Sequence, residues 1–381
     1  MKTKMKSSRL IISGRSLLTQ EQQATETSVY IEDGKITRVS SGRDPGADLT
    51  TEGFIAPGYI DLQLNGAFGY DFTNDGTSVA EVSTRLPMTG VTAFMPTIIT
   101  SPRESYQQRL REIAAAAIEA TGAHVLGVHL EGPFLSPQRK GAHNPDYLRP
   151  IDLEEIQGWV DTSIVRIVTL APELDGALEA IRLLHKAGIV VSIGHSNATF
   201  AQAMNAIEAG AGWGTHLFNA MSPFQHREPG VTGALLVSSI PFGLIVDGVH
   251  SHPAAVKIAY RVKGPNAIAL ITDAIEAMGM QPGQYMLGDR HIFVSEDRVQ
   301  LDDGTLAGSI LRMDVAARNM LAFTGCSLAE AVSMASTTPA CLLGLNKKGR
   351  LDPGCDADLI ILDTDLRVTH TFVSGKLVYE K

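Results

Sequence analysis

The chain has 381 residues, of which 44% are hydrophobic and 19% charged, with 36 glycines. This is ordinary for a globular protein, and the length fits one α/β barrel plus a smaller module. A formal net charge of −9 argues against general nucleic-acid binding, although a pocket can be locally positive on an acidic protein.

The segment 1–18 begins basic, but Leu10-Ile11-Ile12 is too short for a signal-peptide core, and Ser13-Gly14-Arg15 breaks it. No apolar run approaches the ~18 residues of a membrane span. The three cysteines, Cys326, Cys341 and Cys355, form no Cys-x-x-Cys pair and read as thiols in a reducing compartment. The expectation is a cytoplasmic protein that engages neither membrane nor nucleic acid.

Residues 8–53 alternate as short β-like runs joined by turns at Asp33-Gly34 and Gly42–Gly46. Eight β-rich apolar runs follow, at 59–65, 91–99, 125–131, 164–170, 189–195, 213–219, 242–249 and 267–273. Most are nearly continuous hydrophobic stretches, as parallel strands buried on both faces require. Helical spacing appears between them, at 102–121, 174–187, 200–209 and 253–262. The repeat predicts a TIM-type (β/α)8 barrel. An open doubly wound sheet is disfavoured, because no Gly-x-Gly-x-x-Gly follows an early strand. A β-rich insert covers 284–301, and two helices, at about 310–323 and 327–343, close the wall. Residues 350–381 return to short strands and turns. Neither terminal arm suffices for a stable sheet alone. Together they predict one small β-sandwich domain, with arms at 1–53 and 350–381 around a catalytic barrel at 54–349.

Four of the apolar runs end in residues that bind metals or move protons. They are His129-Leu130-Glu131-Gly132-Pro133, Ser192-Ile193-Gly194-His195-Ser196, Gly214-Thr215-His216-Leu217-Phe218-Asn219 and Ile271-Thr272-Asp273-Ala274. Functional groups of such barrels sit at the C-terminal strand ends, so a closed ring would gather these segments. A lone strand-end Glu or His is ordinarily a satisfied structural residue. Two successive strands ending in His, with a Glu two strands earlier, point to a metal with three protein ligands and an open position. Asp273 follows so apolar a run that, ionised, it needs a cation or a donor. Beside a metal-activated water its expected role is general base and then general acid. His129 shares a strand face with Glu131 and reads as support or core packing rather than a ligand.

The first strand, Asp61-Leu62-Gln63-Leu64-Asn65-Gly66, resembles the Asp-x-His-x-His opening of the amidohydrolase superfamily, with Gln63 and Asn65 in place of both histidines. Further motifs are Lys-Gly-Ala-His at 140–143, Arg-Glu-Pro-Gly at 227–230, Asp-Gly-Val-His at 247–250 and Thr-Leu-Ala-Gly-Ser at 305–309. With these the chain resembles the N-acetylglucosamine-6-phosphate deacetylase family from about residue 28 onward. The resemblance implies one divalent metal per subunit, expected to be zinc, on Glu131, His195 and His216. It implies that Asp273 is the catalytic base and that His143 binds substrate and polarises the acetyl carbonyl. Asn219, Ala220, Arg227 and His250 match positions that grip phosphate and sugar hydroxyls. It also implies a homodimer whose active site is completed by the neighbouring subunit, and leaves open whether Arg227 acts in cis or across the dimer. Amides are weak metal ligands beside imidazole, so Gln63 and Asn65 put a second tight metal in doubt.

The expected reaction is deacetylation of N-acetylglucosamine 6-phosphate in amino-sugar metabolism. Three rivals remain. The same chemistry on N-acetylgalactosamine 6-phosphate differs only in one epimeric hydroxyl. A two-metal cyclic-amide hydrolase wants a first-strand His pair and a lysine ending strand four, where this chain has Thr169-Leu170-Ala171-Pro172-Glu173. A non-catalytic binding protein on the same fold has no need of all four of Glu131, His195, His216 and Asp273.

Overall fold

A computed structural model describes residues 9–17 and 24–381. The basic opening at 1–8 and Leu18 lie outside the described residues. The centre of the molecule is a ring of parallel strands: β1 (Tyr59–Leu64), β2 (Val91–Ile99), β3 (Val128–Glu131), β4 (Val165–Leu170), β5 (Val190–Ile193), β6 (Ala211–Gly214), β7 (Phe242–Leu244) and β8 (Ile268–Leu270). Each pairs with its successor in sequence. The ring closes where Leu64 bridges Ala274, with the Asn65 N–H donating to the Ala274 carbonyl (2.8 Å) and the Asp273 N–H to the Gln63 carbonyl (2.9 Å). This is the TIM-type barrel the apolar runs predict.

The strands are apolar throughout because both faces are covered. All nine residues of β2 are buried. Pro96 lies inside that strand and has no N–H to give its neighbour. The β1–β2 register shifts between Asp61 and Leu64, and the Thr97 hydroxyl accepts the Leu64 N–H at 3.2 Å. The irregularity falls at Gln63. Outside the ring, the helix Arg103–Glu119 buries Tyr106, Leu110, Ile113 and Ala116 along one stripe. The helix Phe200–Ala209 starts at a capping box in which Thr199 and Gln202 satisfy each other's backbone N–H groups.

Several strands are shorter at their C-terminal ends than the apolar runs suggest. His195 and His216 each lie two residues beyond β5 and β6, and Asp273 three beyond β8. Their φ angles are +49°, +31° and +49°, so the chain has already left the extended conformation. The helix expected over 327–343 is interrupted at Ser336 and becomes Leu328–Ala335 and Thr337–Leu342.

Both terminal arms enter one seven-stranded sheet. In spatial order its strands are Lys376–Glu380, Val368–Val373, Leu359–Leu362, Leu49–Pro57, Arg9–Ser16, Thr25–Glu32 and Lys35–Ser41. The arms join where Leu359–Leu362 runs antiparallel to Leu49–Pro57. This sheet has its own core around Ile12, Val29, Ile31, Ile55, Leu359 and Phe372. The insert forms a three-stranded antiparallel sheet, Gly283–Leu287, Arg290–Val294 and Val299–Gln300. It packs with Ile99 and Ala142, over the mouth of the barrel. Among the described residues no helix is long and apolar enough to cross a membrane.

Candidate active site

The C-terminal mouth of the barrel opens into a cavity of about 360 Å³ lined by Glu131, His143, His195, His216 and Asp273, among others. Glu131 ends β3, and its Oε1 lies 3.0 Å from His216 Nε2 and 3.2 Å from His195 Nε2. The two Nε2 atoms are 3.1 Å apart. His195 Nδ1 donates to the Arg139 carbonyl at 2.9 Å, which leaves Nε2 bare in the neutral ring. Three electron-pair donors thus converge, and one proton cannot serve all three contacts. The edges approach the ~3.3 Å separating two ligands held ~2.05 Å from one ion at the tetrahedral angle. The residues fit a single divalent cation, and they are the one such group among the described residues.

The charge balance agrees. Burial opposes ionisation of Glu131, yet its contacts with the two imidazoles outweigh it and hold the carboxyl well below its ordinary range. Asp273 stands opposite. Burial and then the Glu131 charge push its carboxyl up to about 6. Its Oδ1 accepts from Asn65 Nδ2 (2.8 Å) and Gln63 Nε2 (3.1 Å), which leaves Oδ2 for water and substrate.

His143 completes the wall beside His195, ring edge to ring face at 4.4 Å between centroids. The Thr100 N–H donates to its Nδ1 at 3.3 Å, and the Thr100 hydroxyl lies 2.8 Å from the same atom. The ring proton therefore sits on Nε2. Burial, reinforced by His195, pushes the imidazole down to about 3, so it faces the cavity as a neutral donor. A buried chain of hydroxyls underlies the Glu131–His195–His216 group: His129 Nε2 meets Thr169 Oγ1 (2.7 Å), and Thr169 meets Thr215 (2.7 Å), which also contacts Ser192. His129 is thus a supporting residue, held neutral by burial at about 4.

Asn219, Ala220 and His250 also line the cavity. Asp247 Oδ2 lies 2.6 Å from His250 Nδ1, and its Oδ1 accepts the backbone N–H groups of Val249 and His250 at 2.8 Å each. Burial opposes ionisation of Asp247, but the His250 hydrogen bond prevails and holds it low. Arg227 is not among the lining residues; it is exposed on the 222–229 loop, where Phe224 is 59% exposed. The sequence reading assigned no role to Thr100, to the Arg139 carbonyl and guanidinium, or to Leu287 of the insert, although Arg139 and Leu287 line the cavity. Only the Asp247–His250 pairing left a readable trace, the three-residue spacing of an acid and a histidine.

A parallel barrel with a carboxylate and two imidazoles at its C-terminal mouth defines the class: the Amidohydrolase family profile matches residues 54–378, and the chain belongs to that family. The N-acetylglucosamine-6-phosphate deacetylase of Homo sapiens is 46% identical over 342 residues, covering 86% of this chain and 83% of that protein. The protein of the same name from Bacillus subtilis is 40% identical over 384 residues, covering 97% of each. A Mycobacterium smegmatis N-acetyl-D-glucosamine-6-phosphate deacetylase, an Asp-to-Ala variant solved with N-acetyl-D-glucosamine-6-phosphate, superposes with a TM-score of 0.93 at 35% identity, covering 97% of this chain and 99% of that one. Within the family the chain falls in this deacetylase branch.

Proposed function

We propose that the chain hydrolyses the acetamide of N-acetyl-D-glucosamine 6-phosphate to acetate and D-glucosamine 6-phosphate. The observation that carries the proposal is the placement of Asp273 and the Nε2–H of His143 around the Glu131–His195–His216 cluster in one cavity. Those three residues would hold one divalent metal, for which zinc fits the nitrogen-rich ligand set. Such a metal acts as a Lewis acid and lowers the pKa of a coordinated water toward ~7.

The chain's own groups do the rest. Asp273 Oδ2 takes a proton from the attacking water. His143 Nε2–H donates to the acetyl oxygen as negative charge develops on it in the tetrahedral intermediate. Asp273, now protonated, passes that proton to the departing nitrogen, which would otherwise be a poor leaving group. Burial raises the Asp273 carboxyl above its ordinary range, which suits a group that first accepts and then releases a proton. Asn219, Ala220 and His250 grip the sugar and phosphate, with Asp247 orienting the His250 ring through its Nδ1. Arg227, exposed on the same 222–229 loop as the exposed Phe224, supports a homodimer in which it reaches the neighbouring subunit's phosphate. Three free thiols fit a reducing, cytoplasmic setting.

Metal analysis combined with an acetate-release assay tests this reading. The expected result is about one firmly held divalent ion per chain and acetate production from N-acetylglucosamine 6-phosphate that a chelator abolishes. Metal-loaded protein that releases no acetate from this sugar phosphate overturns the reading.

A further inference from the structure

Gln63 and Asn65 stand where a metal-binding pair is expected, yet their geometry is that of donors. They are two residues apart on β1 and its exit, so their side chains leave the same face. Both are buried, at 0% and 3% exposure. Gln63 Nε2 lies 3.0 Å from Glu131 Oε1 and 3.1 Å from Asp273 Oδ1. The shorter Asn65 reaches only Asp273 Oδ1, at 2.8 Å. Turning either amide over would set its oxygen against a carboxylate. The displaced oxygens, Gln63 Oε1 and Asn65 Oδ1, are buried and accept no hydrogen bond from the protein. Amide orientation is therefore set by the two carboxylates rather than by any partner for the oxygens.

Glu131 and Asp273 face the same amide nitrogen, and like charges so placed repel. A lysine or arginine between them would neutralise that repulsion but would also compete with a cation for Glu131. An amide supplies hydrogen bonds without charge. We propose that Gln63 and Asn65 are positioning residues: their nitrogens form a neutral clamp that fixes one oxygen of Asp273 and leaves the other to the reaction, while Gln63 also braces the ligand oxygen of Glu131. The clamp is anchored from below. Asp61 accepts the Gln63 N–H (3.3 Å) and the Thr272 hydroxyl (2.5 Å), tying strand one to the residue before Asp273.

The inference rests on the proposed deacetylase reading, so wild-type acetate release is measured first; its absence would sink that reading rather than the clamp. Asn65→Ala and Gln63→Met are then compared in kcat, KM, metal affinity by chelator competition, and thermal midpoint. The Asn65 side chain hydrogen-bonds only to Asp273, so Asn65→Ala should lower kcat ~10- to 100-fold, the scale for a misplaced catalytic group, with KM and metal affinity nearly unchanged. Gln63→Met should lower kcat and also weaken metal binding ~10-fold or more, as loss of a partner to a metal ligand does. A merely structural role would move metal affinity and thermal midpoint together in both variants. The clamp is overturned if Asn65→Ala keeps kcat within ~2-fold, or loses metal affinity in step with kcat. If Gln63→Met fails to fold, Asn65→Ala decides alone.

Discussion

Replacing Asp273 by Asn keeps the shape of the side chain and removes its capacity to take a proton. Oδ1 can still accept from Asn65 Nδ2 and Gln63 Nε2, so the clamp survives. Loss of a general base lowers the rate ~10²- to 10⁴-fold, or ~3–5 kcal/mol in activation free energy. Folding stability should respond in the opposite direction. Burial and Glu131 lift this carboxyl from its ordinary 3.8 to about 6. In the metal-free protein that lift corresponds to at most about 3 kcal/mol. An acid with a raised folded-state pKa favours folding fully below pH about 4, and the advantage is lost as pH rises through about 6. Above that, the buried charge is a net cost that the Asn variant lacks. Acetate release should therefore nearly vanish while metal-stripped Asp273→Asn resists denaturation better than wild type at pH 7.5, the difference shrinking toward pH 4.5. A variant that keeps kcat within ~10-fold, or a stability difference that does not grow with pH, refutes the reasoning.

His143→Ala removes the Nε2–H donor and should cost ~10²- to 10³-fold in kcat, measured by acetate release at saturating substrate. Gly194→Ala would place a Cβ 2.7 Å from Thr215 Cβ and 2.8 Å from Thr169 Cγ2, inside the hydroxyl chain just before His195. It should destabilise by ~1–3 kcal/mol and weaken metal binding, read by denaturation and chelator competition. Lys263 Nζ donates to the carbonyls of Leu235 (3.1 Å), Ser238 (2.6 Å) and Ile240 (2.8 Å) at the end of the helix Gly230–Val237. Lys263→Met should cost ~1–3 kcal/mol of stability and leave the kinetics alone. Arg227→Ala should lower kcat/KM ~10- to 150-fold for the phosphorylated sugar and little for the unphosphorylated one. Equal losses on both sugars would make Arg227 structural.

The barrel was legible because parallel strands covered on both faces must be apolar along their whole length, and β2 is the plainest case. The ends were not, because His195, His216 and Asp273 turn into positive φ while the surrounding sequence stays apolar. The helix Gly230–Val237 escaped reading for a related reason: six of its eight residues are buried, so no amphipathic stripe exists, and two glycines lower its propensity. In the site, residue types at strand ends pointed to Glu131, His195 and His216, which the fold brings together. Tautomers and donor directions lay beyond any local pattern. Thr100 orients His143 from 43 residues away, and Gln63 could be read as a poor ligand or a good donor until its carboxylate partners were in place.

The barrel's closing seam divides the site in time as well as in space. His195 and His216 are 21 residues apart, and Glu131 precedes His216 by 85. Asp273 meets Asn65 across 208 residues and Gln63 across 210. A growing chain therefore emerges with Glu131, His195 and His216 well before Asp273, and Asp273 meets Gln63 and Asn65 only when the eighth strand docks against the first. Contacts of such long sequence separation form late, since the closure entropy of the intervening loop is lost before they return anything. The Glu131–His195–His216 group thus draws on strands three to six alone, whereas the contacts of Asp273 with Gln63 and Asn65 need the finished ring.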